Sequence, residues 1–514
     1  MSNRDLQAAW AYHNSTKHSY RSVRSSTHML DWANRPLPFK IYPTLEPLPL
    51  PREFPQTDLP ALSAISHGGE SHPKADVVPD LKRLAALLYF SAGITKRRAY
   101  PGGEVFYRAA ACTGALYEIE LYLVFSELPD LPAGVYHFGP GDFALRKLRS
   151  GDYRGVLARA TGGEPGVAHA PVTVICTGTY WRNAWKYQAR TYRHFGWDNG
   201  TILANLLAMC AAFELPAQVV LGFVDAEVNR LLDLDTAREV AFSLVTIGHL
   251  AQPPAELPEE IKPLELETVP LSRSEVDYLA MRAMHEASSL HSEAEAAEWR
   301  AGAPARQFPA IQGASMPLEP YGEEEISRER INEVILRRGS TRKFARASIS
   351  FQEFSTILDR ATGGIPGDFL DSPGTFLNDL YVIAHAVEGL RPGAYVFRRD
   401  RLVLECLKEG DFRAEASYLG LEQELPGEAS FAVFFLADLR RILDRFGNRG
   451  YRAVQLEAGV LGGKMYLAAY AQGLGATGLT FYDDDVTEFF SPHAEGKSAV
   501  FLTAAGRSAK SKRP

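Results

Sequence analysis

Residues 120–138, ELYLVFSELPDLPAGVYHF, and residues 379–397, DLYVIAHAVEGLRPGAYVF, are one segment written twice. Tyr122, Gly134, Tyr136 and Gly151 recur as Tyr381, Gly393, Tyr395 and Gly410, each 259 residues later. The register still holds where Arg190-Thr191-Tyr192-Arg193 meets Arg449-Gly450-Tyr451-Arg452. A period this long marks a duplicated domain, since solenoid units span roughly 20–50 residues. Two copies of one ancestral site need not keep the same parts of it. The informative positions are therefore those where the register holds and the residue type changes.

Outward from this segment, both copies show one order of elements. Copy one has an apolar helix in DLKRLAALLYFSAGIT that stops at Gly93, a strand over Glu118–Phe125, and a strand pair with turns. An apolar run, Ala170–Cys176, a long helix from Asn199 to Phe213 and a strand ending near Ile247 follow. Copy two repeats this with a helix near 351–361, strands near 379–385 and at Ala429–Leu436, a helix near 454–472 and a strand at Ala499–Ala504. The reading is α+β, with helices around a mixed or antiparallel sheet in each copy. Residues 1–60 read as an extended arm, because Pro36, Pro38, Pro43, Pro47, Pro49 and Pro51 leave little room for helix or central strand. Residues 251–325 read as a connector with a polar helix that starts at Ser272, is boxed by Glu275 and runs towards Arg300. The domains are then 61–250 and 326–514.

Composition narrows the function. The chain has 514 residues, 46% of them hydrophobic, which suffices for two or more cores. No run approaches the roughly 18 apolar residues of a membrane span, and the polar N-terminus has no signal-peptide core. Cys112, Cys176, Cys210 and Cys406 form no CxxC pair, so neither a disulfide framework nor a zinc site is expected and a reducing cytoplasm fits. The net charge is −7 and the basic tail, Lys510 to Arg513, is short, which argues against nucleic acid. A small-molecule or peptide substrate is the expectation.

Three asymmetries between the copies point to chemistry. Copy two opens with Arg337-Arg338-Gly339-Ser340-Thr341-Arg342-Lys343-Phe344. A serine with an arginine two residues away on each side can grip a phosphate, although a solvated basic turn has the same composition. The matching Ile65-Ser66-His67-Gly68-Gly69-Glu70 has no arginine. Copy one in turn has the small-residue stretch Arg108-Ala109-Ala110-Ala111-Cys112-Thr113-Gly114-Ala115-Leu116-Tyr117, which lets backbone approach a flat ligand. Copy two has Phe369-Leu370-Asp371-Ser372-Pro373-Gly374 there. Finally, Lys186 and Tyr187 become Arg445 and Phe446 at the offset of 259. Arginine keeps its proton and phenylalanine has none to give, so only copy one can transfer a proton at this point. An ordinary amphipathic helix start is the plainer use of such a pair.

Together these features resemble the nitroreductase superfamily, and within it the SagB/thiazoline-oxidase type of FMN-dependent dehydrogenase. The resemblance rests on TKHS…LDWANRPLPFKIYP in the arm, KYQARTYRHFGWDNGTILANLL, GATGLTFYDDDVTEFFSP and RRGSTRKF, in that order and spacing. It implies FMN bound between two subunits, here the two copies of an intrachain pseudo-dimer that can be monomeric as a chain. It places the phosphate grip on Arg338, Ser340 and Arg342, with Arg507 as a C-terminal partner. The loop falls on Cys112, Thr113 and Gly114, although the usual Pro-Ser-Ala-Gly is here Ala111-Cys112-Thr113-Gly114. Asn199 sits where a helix residue reaches the flavin, and Thr480 is placed to offer its backbone N–H near N5. Lys186 and Tyr187 match the pair implicated in substrate proton removal.

The implied function is an FMN-dependent oxidoreductase that passes hydride from substrate to flavin, with azoline-to-azole oxidation of a modified peptide as the family's reaction. An NAD(P)H-dependent nitro- or quinone reductase and a non-catalytic flavin-binding or scaffold protein stand beside it. The complementary losses predict a single competent site, hence one FMN per chain. No metal is expected: His67 and His72 lack a third ligand, and Asp483-Asp484-Asp485 reads as a turn or helix N-terminus. Gly473-Leu474-Gly475-Ala476-Thr477-Gly478 matches GxGxxG but follows a helix and precedes a strand, opposite to a dinucleotide turn.

Overall fold

The computed structural model describes residues 2–66, 75–100, 103–254, 260–301, 310–370 and 375–509. Its strands are β1 (Pro47–Pro49), β2 (Ile94–Tyr100), β3 (Gly103–Arg108), β4 (Ile119–Phe125), β5 (Gly134–Gly139), β6 (Ala144–Ser150), β7 (Val172–Thr179), β8 (Ala217–Val220) and β9 (Glu239–Ile247) in the N-terminal half. The C-terminal half has β10 (Ser315–Pro317), β11 (Asp379–Ala384), β12 (Gly393–Arg398), β13 (Val403–Glu409), β14 (Phe431–Ala437), β15 (Gly475–Leu479) and β16 (Ser498–Gly506). Two seven-stranded sheets result, ordered β1-β6-β5-β4-β7-β9-β8 and β10-β13-β12-β11-β14-β16-β15. Every neighbouring pair within them is antiparallel.

The sequence period is reproduced in the ladders. Tyr122 pairs with Ile175 and Tyr381 with Phe434, all shifted by 259. A bulge between Val135 and Tyr136 recurs between Ala394 and Tyr395, and one between Cys176 and Thr177 recurs between Phe435 and Leu436. The residues that repeat serve this scaffold. The Tyr136 and Tyr395 hydroxyls donate to the carbonyls of Pro132 and Arg391 at 2.9 and 2.6 Å and so close their hairpins. A Cβ on Gly134 or Gly393 would lie 2.6 or 2.7 Å from a carbonyl of the next strand, which only glycine avoids.

The helices that position the site are α1 (Gln7–Ser15), α2 (Leu81–Ala92), α3 (Tyr180–Tyr187), α4 (Thr191–Ala212), α5 (Leu279–Ala287), α6 (Ile331–Arg337), α7 (Phe351–Thr362), α8 (Leu439–Phe446), α9 (Arg449–Ala471) and α10 (Asp483–Phe490). Gly93 ends α2, as the sequence predicts, and Asp80 caps its start. The two long helices, α4 and α9, cross where Gly200 meets Gly459, its own counterpart at 259 residues. A Cβ on Gly200 would stand 2.5 Å from the Gly459 Cα, so the backbones touch. This is an isologous contact within one chain.

The repeated Arg-x-Tyr-Arg motif locks that crossing. Arg190 and Arg193 reach Asp483 of the other half at 3.0 and 2.6 Å. Arg449 and Arg452 reach Asp225 at 2.6 and 2.7 Å. All six side chains are buried. Asp483 opens α10, in line with the helix N-terminus read for the acidic triplet, and its main use is this clasp.

Two expectations need correction. The arm is helical at Gln7–Ser15 and Tyr20–Arg24, and it also contributes edge strand β1. Prolines restrict only its later part. No helix starts at Ser272: the Ser272 hydroxyl accepts from Trp181 Nε1 at 2.8 Å and donates to the Asn34 carbonyl at 2.9 Å, and Glu275 lies 3.9 Å from Arg238. The helices are α5 and Glu293–Arg300, the latter capped by Ser292. The arm and connector are in fact counterparts. His13, Thr16 and His18 meet the first clasp as His285, Ser288 and Leu290 meet the second, 272 residues apart in each case. Likewise β1 and β10 border equivalent sheets. Among the described residues no helix is long and apolar enough to cross a membrane. His67, His72, Asp371 to Gly374 and Lys510 to Arg513 lie outside the described residues.

Candidate functional site at the junction of the halves

α3 ends at Tyr187, and the chain then turns through Gln188 at φ +50°. The second half has Gly447 at φ +65° there, so Gln188 holds a conformation that favours glycine, beside the pair of interest. Lys186 is exposed, and its Nζ stands 5.1 Å from the Tyr187 ring centroid. Tyr187 is half-buried with its ring edge-on to His194 at 4.8 Å. Its hydroxyl rests on the small-residue loop: a Cβ on Gly114, whose φ is +66°, would lie 2.8 Å from the Tyr187 oxygen. Backbone conformation and close approach both require glycine at 114.

A buried polar layer lies under this contact. The Thr113 amide donates to both Asp198 carboxyl oxygens at 2.9 Å, and its hydroxyl donates to one of them at 2.9 Å. The Cys112 thiol donates to Asp198 at 3.2 Å and stands 3.5 Å from Glu118. Glu118 also accepts from the Asn183 amide at 3.3 Å. The Asn183 carbonyl oxygen faces His194 Nδ1 at 2.7 Å and accepts from Thr191 at 2.9 Å. Burial, with Glu118 alongside, holds Asp198 well above the usual carboxylate range. Burial and then Asp198 likewise push the Cys112 thiol up, keeping it protonated.

The same layer sets the character of the pair. Burial, followed by Asp198, Cys112 and Glu118, raises the Tyr187 phenol, with Arg342 opposing. Partial desolvation and the Arg342 charge lower Lys186. Tyr187 is thus a proton donor at neutral pH, and Lys186 the group that gives up its proton more easily than an ordinary lysine.

The second half supplies the rest. Arg338, just past α6, donates to the Ala109 carbonyl from Nε at 3.0 Å and from Nη2 at 2.8 Å, and to Arg108 O at 3.3 Å. It therefore clasps the loop of the other copy. Ser340 lies 3.3 Å from the Tyr466 hydroxyl. Arg342 is exposed and has no ion pair among the described residues, while its charge acts on both Lys186 and Tyr187. The Thr480 hydroxyl, just beyond β15, is buried and has no hydrogen-bond partner among the described residues. Grip, loop and pair are brought together.

Two expected residues are turned elsewhere. Asn199 is fully buried and donates to Ser243 on β9 at 2.7 Å, into the core of its own half. Its neighbour Asp198 is the one that faces the loop. Arg507 binds Glu353 at 3.2 Å and the Ser348 carbonyl at 3.0 Å, so its charge is already engaged. Only its backbone joins the grip segment, where Ala345 donates to the Arg507 carbonyl at 2.9 Å. Asp198, Glu118, Asn183, His194 and Tyr466 escaped the sequence reading. For Asp198 and His194 the usable signal was polar residues on a helix, α4, that is buried nearly all round.

At the mirror positions the residues are engaged with one another: Trp299, buried, lies 5.1 Å from the Phe446 ring and donates to the Phe446 carbonyl at 2.8 Å. Glu457, the counterpart of Asp198, accepts from Leu377 and Asn378 amides at 2.9 and 2.8 Å and so anchors the equivalent loop. Arg399 lies over the Phe376 ring at 4.0 Å. Lys464 donates to the Gly364 carbonyl at 2.6 Å, with burial lowering it to about 7.

Comparison with known proteins agrees with this architecture. A putative nitroreductase of Anabaena variabilis superposes with a TM-score of 0.76 at 24% identity, covering 98% of this chain and 99% of that one. The putative nitroreductase MJ1384 of Methanocaldococcus jannaschii is 26% identical over 181 residues, which is 34% of this chain and 90% of the relative. The profile described as "Nitroreductase family" matches residues 114–249 and 335–495, one stretch in each half and more than half of the chain in total. This protein belongs to the nitroreductase family of oxidoreductases.

Proposed function

We propose that the chain is an FMN-dependent dehydrogenase of the SagB type with one flavin per chain. The observation that carries this reading is the convergence of the Tyr187 hydroxyl on Gly114, with the exposed Arg342 of the other half acting on both members of the Lys-Tyr pair. The residues fit the cofactor. Arg342 and Ser340 would hold the phosphate, with Arg338 bracing the loop. Gly114 and its flanking small residues allow a flat ring to lie close, and Thr480 has a buried hydroxyl in need of a partner. FMN, when bound, would accept two electrons in the form of a hydride. Lys186 takes a proton from the substrate atom next to the carbon being oxidised. Tyr187 positions the substrate by donating a hydrogen bond to one of its heteroatoms. Oxidation of an azoline ring in a modified peptide is the reaction this arrangement suits, since ring aromatisation removes one hydride and one proton.

The grip is tested by Arg338→Ala combined with Arg342→Ala, which should release FMN on gel filtration; retained flavin would refute it. Released-flavin absorbance should give one FMN per chain, and a ratio near two would overturn the closed mirror site. Bleaching of the bound flavin by NAD(P)H alone, without an oxidisable substrate, would mark the protein as a reductase instead.

A further inference from the structure

The N-terminal half carries residues that its partner lacks. α2 and α7 start 270 residues apart, at Leu81 and Phe351, whereas Tyr122 and Tyr381 are 259 apart, so 11 additional residues lie between helix and strand in the first half. That region forms hairpin β2–β3, which belongs to neither seven-stranded sheet. Among the described residues neither outer edge of the hairpin pairs with another strand. Unpaired strand edges are templates for an added strand.

The two faces of the hairpin differ. Arg97 pairs with Phe106, and the Phe106 ring lies 5.2 Å from Phe39 of the arm. The opposite face carries Lys96, Arg98 and Tyr100, with Tyr107 across from Lys96. Lys96 and Arg98 are exposed and have no carboxylate partner among the described residues. Arg98 donates to the Tyr100 hydroxyl at 3.5 Å, and Lys96 acts on the same phenol. Arg98 and Arg342 both act on Tyr107, and Arg342 acts in turn on Lys186. Lys96 and Arg98 thus set exposed positive charge on one face of the hairpin, in a chain whose net charge is −7. Among the described residues the second half forms no such hairpin.

We propose that β2–β3 docks an extended, acidic peptide segment, which adds along a strand edge, sets its carboxylates on Lys96 and Arg98, and delivers the adjoining residues to Lys186 and Tyr187. This rests on the peptide-dehydrogenase reading above. A protein of overall negative charge repels an acidic chain elsewhere, so a local basic strip gives both steering and register. Strand addition supplies sequence-independent affinity, and alternate side chains supply selectivity.

The test uses the FMN-loaded full-length protein and a fluorescein-labelled octapeptide of alternating Glu and Val, read by anisotropy. Its affinity should fall with added salt. Lys96→Glu combined with Arg98→Glu should weaken it by about tenfold or more, the direction expected for reversal of two rim charges. Methylation of alternate backbone nitrogens in the peptide should abolish binding. Equal binding by the double variant, or equal binding of a Gln-for-Glu peptide, would overturn the proposal. So would a variant that binds peptide normally and loses only affinity for NADPH, which would make the strip a dinucleotide surface. Binding is measured without turnover, so its failure leaves the flavin reading standing. Absence of flavin chemistry likewise leaves the anisotropy result valid.

Discussion

Lys186→Ala and Tyr187→Phe, each with FMN retained, are expected to lower turnover by about 10²–10⁴-fold, the range for loss of a positioned proton-transfer group. The environment of the pair predicts the pH dependence as well. Lys186 is shifted down by partial desolvation and by Arg342, so its neutral amine forms at lower pH than that of an ordinary lysine. Rate should therefore rise with pH through an apparent pKa below the ordinary lysine value of about 10.4. Tyr187 is shifted up, so its phenol remains a donor across that rise. Lys186→Arg keeps the charge and loses the titration, which should flatten the rising limb. Steady-state rates against pH for the three variants check this; full activity in both Lys186→Ala and Tyr187→Phe would remove the pair from the mechanism.

How far the site was legible depended on which residues had a counterpart to compare. Lys186 and Tyr187 stood out because Arg445 and Phe446 occupy the same register, and the grip stood out because the stretch before α2 has no arginine. The offset of 259 made the equivalence of the two sheets legible, and they match down to their bulges; strand order itself was not legible. Asn199 failed for a geometric reason. Successive residues on a helix point roughly 100° apart, and α4 is buried nearly all round, so no apolar stripe tells which of Asp198 and Asn199 faces the loop. The Ser272 capping box failed because Ser272 and Glu275 bind Trp181 and Arg238, partners distant in sequence. The role of Arg-x-Tyr-Arg was equally hidden: both copies keep it, and its acid comes from the other half.

Asp225→Asn is expected to destabilise the protein by about 3–5 kcal/mol, the usual cost of removing one partner from a buried ion pair. It leaves Arg449 and Arg452 buried together with no carboxylate between them, and weakens the acceptor for the Leu290 amide. Asp483→Asn should cost a similar amount through Arg190 and Arg193. Denaturant midpoints at constant slope measure both. The pH dependence has a definite sign. Burial alone would raise these carboxyls, but Arg449 and Arg452 outweigh it and hold Asp225 down at about 2, as Arg190 and Arg193 do for Asp483. Their contribution is complete above the ordinary aspartate value of about 3.9 and is lost as pH falls towards about 2. A midpoint unchanged by Asp225→Asn would show that the clasp carries no stability.

The contact of Gly200 with Gly459 lies inside one polypeptide. A site shared between separate subunits is lost whenever dilution separates them, because assembly there depends on protein concentration. In this chain the second partner is always present at the effective concentration set by a covalent tether, on the order of millimolar for short flexible links. Specific activity and flavin content should accordingly stay constant from micromolar to nanomolar protein, where a two-chain relative of equal interface strength would begin to lose both.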